Sequence, residues 1–237
     1  MNNPSPNPKT DAAETQNELG IALAWQGRNA EAEQALRRAV AMRPANAGGW
    51  NNLANVLRRL GRLEDAERAH LTAVALAPED GDLHLALGHF WRQCGRAEQA
   101  AAAYGNAARL SPESAEAHRG LGDALRELGR AAEALPVLRK AAALAPGQFQ
   151  IQLDIGFCHR QLGHDAEAES AYLEAARLEP RDADSRANLA SLLAEQGRVD
   201  EARAKAREAV ALRPDTRLKV LSATVMPVVC DSIRAID

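Results

Sequence analysis

Residues 47–80 read AGGWNNLANVLRRLGRLEDAERAHLTAVALAPED. Leu53, Val56, Leu57 and Leu60 recur at helical spacing up to Gly61. A glycine ends a helix readily, because the left-handed conformation after the last turn costs it little. A second helical run follows and stops at Pro78, which cannot donate the next backbone hydrogen bond. The stretch therefore predicts a helix (A), a tight turn and a second helix (B). The same skeleton returns six times at a spacing of 34 residues. Gly27, Gly61, Gly95, Gly129, Gly163 and Gly197 keep step with Pro44, Pro78, Pro112, Pro146, Pro180 and Pro214. Ala32, Ala66, Ala100, Ala134, Ala168 and Ala202 form one alanine column; Ala39, Ala73, Ala107, Ala141, Ala175 and Ala209 form another. Ahead of each glycine stands a large-small pair: Leu19-Gly20, Leu53-Ala54, Leu87-Gly88, Leu121-Gly122, Ile155-Gly156 and Leu189-Ala190.

This pattern resembles the tetratricopeptide repeat, a helix-turn-helix unit of 34 residues. The match runs from about Ala13 to Thr216. The resemblance implies an all-α solenoid of six repeats in a right-handed superhelix, with helix A lining the concave side. It makes a binding scaffold for protein or extended peptide the expected function. The expected organisation is a disordered leader at 1–11 and a six-repeat domain at 12–216. Its repeats are 13–46, 47–80, 81–114, 115–148, 149–182 and 183–216, with an apolar C-terminal helix or linker at 217–237.

Composition narrows the partners. Net charge is −3 and aromatic content only 3 %, so alanine and leucine carry the packing. That balance points away from nucleic acid and from a membrane surface. No stretch has the apolar length of a membrane span. The opening MNNPSPNPKTDAAE lacks the charged and apolar regions of a signal peptide, and the cytoplasm is the expected compartment. Cys94, Cys158 and Cys230 have no metal-ligand spacing; the first two fall on apolar helix A positions and read as buried small hydrophobes.

Within each repeat, smaller signals agree with the helical reading. Helix B carries an acid in its first turn at Glu31, Asp65, Glu133, Glu167 and Glu201, complementing the helix dipole. Two residues after each proline come Asn46, Asp80, Ser114, Gln148, Asp182 and Thr216; all but Gln148 are good N-caps. Gly or Ala early in helix A, facing Ala in helix B, is expected to let the helix axes approach. Trp50, Trp91, Tyr104, Leu138 and Tyr172 are expected to fill the remaining holes. Pro136 is tolerable in the first turn of its helix and a source of a kink any deeper.

Catalysis needs convergent groups of mixed type, and none is visible. No phosphate loop, nucleophile elbow or His-Glu-x-x-His occurs. The chain reads as a non-enzyme, with no cofactor and no metal site. His84 and His118 take the position of Trp50, and His70 and His159 take positions held elsewhere by Leu, Tyr or Trp, so all four read as packing residues.

The candidate site is the helix A face. Arg58, Arg92, Arg126 and Arg160 form a column through four consecutive repeats, replaced by Ala24 and Ala194 at the ends. Around it lie Asn51, Asn52, Asn55, His89, Asp123, Asp154 and Asn188, with Phe157 as an apolar member and Trp25 at the border. Guanidinium groups in a row can hold carboxylates, phosphates or the carbonyls of an extended peptide. Local pairing with acids, as between Asp123 and Arg126, is the other reading and stays open. A second column, Arg28, Arg62, Arg96, Arg130 and Arg198, follows the glycines and reads as solvated arginines at helix C-termini.

Two subtypes of the family bear comparison. The two-carboxylate clamp of chaperone-tail binders is missing, because Ala86, Glu116 and Gly120 stand where its residues would be. Asn52 and Asn188 are similar to the asparagine ladder in the repeat arm of O-linked N-acetylglucosamine transferases and their Spindly-type relatives; Glu18, Ala86, Gly120 and Asp154 depart from it. The segment Met226 to Ser232, with Ile233 and Ile236, resembles the junction before the catalytic region of Spindly-type proteins. Leu218, Val220, Leu221, Val225, Val228 and Val229 make this tail apolar, so self-association is expected of it, as is a longer parent chain. The expected function is thus a peptide-binding arm of a larger glycosyltransferase-type protein; the alternative is a free-standing adaptor or assembly factor.

Overall fold

The computed structural model describes residues 8–213, with side chains from residue 12. Among the described residues there are twelve α-helices and no strand. They pair as α1 (Pro8–Trp25) with α2 (Asn29–Met42), α3 (Ala47–Arg59) with α4 (Leu63–Leu76), and α5 (Gly81–Gln93) with α6 (Ala97–Leu110). Then come α7 (Ala115–Glu127) with α8 (Ala131–Leu144), α9 (Phe149–Gln161) with α10 (Asp165–Leu178), and α11 (Ala183–Glu195) with α12 (Val199–Leu212). Odd-numbered helices are helix A and even-numbered ones helix B. The chain is an all-α solenoid of helical repeats. It forms two compact units, residues 1–120 and 121–237, with the division falling inside α7.

Each A-to-B turn is built the same way. Gly27, Gly61, Gly95, Gly129, Gly163 and Gly197 have φ between +71° and +77°. The residue after the glycine donates to the carbonyl five residues back, as Arg62 does to Leu57 at 2.9 Å. The glycine itself donates three residues back, as Gly61 does to Arg58 at 3.0 Å. This double closure satisfies the carbonyls orphaned at the helix end. A Cβ on any of the six would meet nothing within 4 Å. Glycine is required there by the backbone conformation alone.

The B-to-A junctions are capped. Asn46 accepts from the Gly49 amide, Asp80 from Asp82 and Leu83, Ser114 from Ala117, and Asp182 from Ser185. Gln148 makes no such bond, in line with its longer side chain. A second tie comes from the fourth residue of helix A. Trp50 donates its indole N–H to the Pro44 carbonyl at 2.8 Å. His84 and His118 reach the Pro78 and Pro112 carbonyls at 2.9 and 3.0 Å. These histidines thus replace tryptophan in hydrogen bonding as well as in packing.

The four glycines of the small column in helix A do not face alanine side chains, as the sequence suggested; they face the largest residue of helix B. A Cβ on Gly20 would lie 2.5 Å from Leu36, on Gly88 2.6 Å from Tyr104, on Gly122 2.4 Å from Leu138, and on Gly156 2.5 Å from Tyr172. Ala54 and Ala190 stand in the same column where helix B offers His70 and Ala206 at the position of those large residues. Glycine thus stands wherever helix B brings leucine or tyrosine, and alanine pairs with alanine at Ala190 and Ala206. The alanine column of helix B is still fully enclosed, with Ala32, Ala66, Ala100, Ala134 and Ala168 at 0 % exposure.

Three further differences from expectation have physical causes. Helix α1 starts at Pro8, inside the segment expected as a leader. Proline suits a first helical position, where its missing N–H is not needed. Pro136 lies at the sixth position of α8, beyond the first turn, and the helix continues through it. Its ring and the carbonyl of Ala132 that it leaves without an amide are both on exposed residues, where water can serve that carbonyl.

The second arginine column is not merely solvated. Arg28 and Arg130 grip Glu31 and Glu133, three residues on, at 2.6 Å. Arg62 bonds Glu33 of the preceding repeat as well as Asp65. Arg96 bonds Glu67 at 2.7 Å, and Glu67 also accepts from the Trp91 indole at 3.2 Å. Arg198 bonds both Glu169 and Glu201. These pairs hold Glu31, Glu133 and Glu201 below the usual carboxylate range, chiefly through the arginine hydrogen bonds, and Asp65 is held there by Arg68 first and Arg62 second. The leader expected before residue 8 and the apolar tail expected after residue 213 lie outside the described residues.

Candidate functional site

Arg58 and Arg92 belong to the first unit, and Arg126 and Arg160 to the second. In the first unit, α3 presents Asn51, Asn52, Asn55 and Arg58, all half-buried, at spacings of three and four residues that set them on one face. Asn52 donates to Asn17 of α1 at 3.1 Å. The Asn51 amide oxygen is buried and has no hydrogen-bond partner. Arg58 donates to Gln93 at 2.7 Å. On α5, His89 sits between Glu116, 3.1 Å from its Nε2, and the Tyr104 hydroxyl, 2.8 Å from its Nδ1. Burial lowers the His89 pKa, and Glu116 works against that shift. Arg92 is exposed at the end of the same helix.

Asn52 and Asn55 also line a pocket of about 300 Å³ with Ile21, Ala24, Trp25, Leu36, Val56 and Arg59. Arg59 closes one side by donating to the Ala24 carbonyl at 2.9 Å. Trp25 stands at the rim with 82 % of its surface exposed. An indole left in water beside an apolar pocket is the kind of side chain that anchors interfaces.

In the second unit the arginines are engaged. The Arg126 guanidinium lies 3.8 Å from Asp123 and 3.7 Å from Asp154, and 5.4 Å above the centre of the Phe157 ring. Its buried Nε makes no hydrogen bond, so the two carboxylates hold it by charge rather than by directed bonds. Phe157 in turn packs edge-on against Tyr172 at 5.8 Å. Arg160 bonds Glu195 and, at 3.3 Å, Ser191 of α11. Asn188 is half-buried on that helix. The structure thus joins Asp123, Arg126 and Phe157 in one cluster with Asp154. Arg160 and Arg58 form bridges to the next helix A.

Sequence reading missed Ile21, Val56 and Arg59 as pocket walls. It also missed Gln93 and Glu195 as arginine partners. Both partners stand 35 residues after their arginine, one position beyond the repeat, and that offset was legible. Burial pushes the Cys158 thiol up to about 11 and the Tyr172 phenol up to about 12, so both are neutral packing groups. Among the described residues no cluster of three or more metal-ligating side chains occurs, and no helix is long and apolar enough to cross a membrane.

Comparison with known proteins agrees with the repeat geometry. The structure resembles that of PilF from Pseudomonas aeruginosa with a TM-score of 0.73 and 20 % identity, covering 88 % of this chain and 95 % of that one. A tetratricopeptide repeat protein from Parabacteroides merdae gives 0.72 and 20 % identity, with 88 % and 87 % covered. YrrB, described as a TPR protein with an unusual peptide-binding site, gives 0.68 and 24 % identity, with 81 % and 98 % covered. At these identities the likeness is one of fold. No curated protein sequence matches the chain. The tetratricopeptide repeat family model matches residues 17–81, 89–149 and 159–216, the segments whose turns and paired helices are described above, and the chain belongs to that family.

Proposed function

We propose that this chain is a non-catalytic scaffold that binds protein or extended peptide on its helix A face. The observation that carries the reading is Trp25, exposed beside the pocket of Ile21, Ala24, Asn52, Asn55, Val56 and Arg59. Asn52 and Asn55, half-buried on the same helix, add amide groups at the pocket wall suited to a peptide backbone. In the second unit Arg126, Phe157 and Arg160 form a further stretch with charge and an aromatic face. The likeness to YrrB, a peptide-binding protein of the same fold, supports the reading. The test is to select peptides by display on this chain and measure their affinity for two variants. One is Trp25→Ala with Asn55→Ala; the other replaces Arg58, Arg92, Arg126 and Arg160 with alanine. Loss of about tenfold or more in the first supports the pocket, since a buried anchor contributes upward of ~1 kcal/mol. Unchanged affinity in both, with the fold intact by circular dichroism, overturns the reading.

The finer proposal is that the scaffold is the N-terminal arm of a larger cytoplasmic glycosyltransferase-type protein. Its support is the similarity of Asn52, Asn188 and the segment from Met226 to Ser232 to that arm. The reading frame downstream of Asp237 in the parent gene tests it. Several hundred further codons with alternating strand and helix patterns support the arm; a stop codon leaves a free-standing adaptor.

A further inference from the structure

The second unit carries an open pocket of about 640 Å³ on α9 and α10, away from the helix A residues discussed above. Its walls include Gln152, Ile155, Glu167, Ser170, Ala171 and Glu174. These stand three repeats after Trp50, Leu53, Asp65, Arg68, Ala69 and Thr72, which line the corresponding pocket of the second repeat, at about 260 Å³. Two of the exchanges between these walls shorten the side chain. Gln152 replaces an indole, and Ser170 replaces a long arginine side chain.

The repeats themselves show which group suits this place. In the second, third and fourth repeats, Trp50, His84 and His118 each bring a ring N–H to the carbonyl of the preceding turn's proline. The corresponding carbonyl in the fifth repeat, that of Pro146, receives no hydrogen bond from the described residues. The pocket floor is apolar, from Ile155 and Ala171, and Leu173 at the rim is 47 % exposed. The charged residues of the wall are Glu167, Glu174 and Arg177. Arg177 is held by Glu174 at 2.7 Å, whereas Glu167 makes no ion pair among the described residues. Burial and Arg139 lower the pKa of the wall residue His159, and Glu167 works against that shift.

We propose that this pocket takes a tryptophan side chain of a partner polypeptide, with a lysine or arginine of the same segment set against Glu167. The indole packs on Ile155, Ala171 and Leu173 and offers its N–H to the Pro146 carbonyl, as Trp50 does to Pro44 within the chain. The site is independent of the helix A face, so either can fail without the other.

The test uses the whole chain and the peptide acetyl-Lys-Trp-Lys-amide, followed by the NMR methyl signals of Ile155 and Leu173. Saturable shifts are expected. The phenylalanine analogue, lacking the N–H donor, binds about fivefold more weakly. Glu167→Gln weakens binding about two- to fivefold, the range of an exposed ion pair. Gln152→Trp fills the pocket from within and abolishes binding; because the second repeat already holds tryptophan there, the variant folds. Leu173→Ser, at an exposed position, reads the same contact without that exchange and weakens binding as well. Shifts that never saturate, equal binding of the tryptophan and phenylalanine peptides, or undiminished binding to folded Gln152→Trp each overturn the proposal.

Discussion

The ring of Tyr104 occupies the space that a side chain on Gly88 would need: a Cβ there would lie 2.6 Å from the ring. The glycine is a hole and the tyrosine its filling, and this decides the sign of a substitution. Alanine in a helix is ordinarily preferred to glycine by about 1 kcal/mol. At Gly88 overpacking outweighs that gain, and Gly88→Ala should destabilise by about 1–3 kcal/mol. Gly105 lies inside α6 with nothing within 4 Å of a Cβ. Gly105→Ala should therefore stabilise, by up to about 1 kcal/mol. Urea melts of the two variants should move in opposite directions; movement in the same direction would show that propensity, not packing, governs both sites.

Gly61 separates conformation from space. Its φ is +77° and a Cβ would touch nothing. Gly61→Ala should cost about 1–2 kcal/mol through the left-handed backbone alone. Gly61→Asn should cost less, since asparagine visits that region more easily. Equal losses for Ala and Asn in thermal melts would contradict a purely conformational origin.

Much of this was legible in the sequence, and the parts that were not share a cause. A glycine every 34 residues announces a turn because only the local backbone is involved; Asn46 and Asp182 announce caps for the same reason. The pairing of Gly88 with Tyr104 needed the rotation of one helix against another. So did the bonds of Arg62 to Glu33 and Arg96 to Glu67, whose partners are 29 residues apart. For the candidate site, the arginine column was readable as a column. What each guanidinium touches was not, because Arg58 and Arg160 reach forward to Gln93 and Glu195 on the next helix A.

His70 makes the first unit sensitive to acid. It is 1 % exposed, packs on Phe90 at 5.3 Å, and has no hydrogen bond at either ring nitrogen. Burial, with a smaller contribution from Arg58, lowers its pKa from 6.5 to about 4. The folded state therefore requires the neutral ring. Its stability is complete above the unfolded pKa and falls as the pH drops from 6.5 towards 4. The loss has a slope of up to ~1.4 kcal/mol per pH unit and totals about 3 kcal/mol. In His70→Ala, as with Ala206 opposite Ala190, that slope should vanish. The measurement is the difference in urea stability between the two proteins at pH 7 and pH 4.5, which cancels the carboxylates common to both. A difference independent of pH would mean that the ring charges without cost.

Pro136 is a defect that the fold tolerates. It sits at the sixth position of α8 and removes one helical hydrogen bond. Alanine holds the same repeat position at Ala102 of α6 and Ala204 of α12, so the backbone there accepts it. Pro136→Ala should stabilise by about 1–3 kcal/mol, the usual penalty of an interior proline recovered in part. An unchanged or lowered melting temperature would show that the packing of α8 depends on the bend proline imposes.

Trp25 and Trp50 are two tryptophans with opposite assignments. Trp50 is half-buried against the core cluster that contains Val40, Leu53 and Leu57, and its indole is bonded to Pro44. Truncation to alanine removes apolar contact and a helix tie together, and should cost about 2–4 kcal/mol. Trp25 is 82 % exposed and its indole makes no hydrogen bond among the described residues. A side chain in that position contributes little to folding, and Trp25→Ala should change stability by no more than about 0.5 kcal/mol. An exposed indole beside an apolar pocket is open to a partner. For a peptide selected on this chain, Trp25→Ala should therefore reduce affinity about tenfold or more while the melting temperature stays put. Trp50→Ala should lower the melting temperature and leave the affinity of the folded fraction nearly unchanged. If instead Trp25→Ala destabilises as much as Trp50→Ala, the indole packs more closely in solution than its exposure implies, and the pocket beside it belongs to the core rather than to a partner.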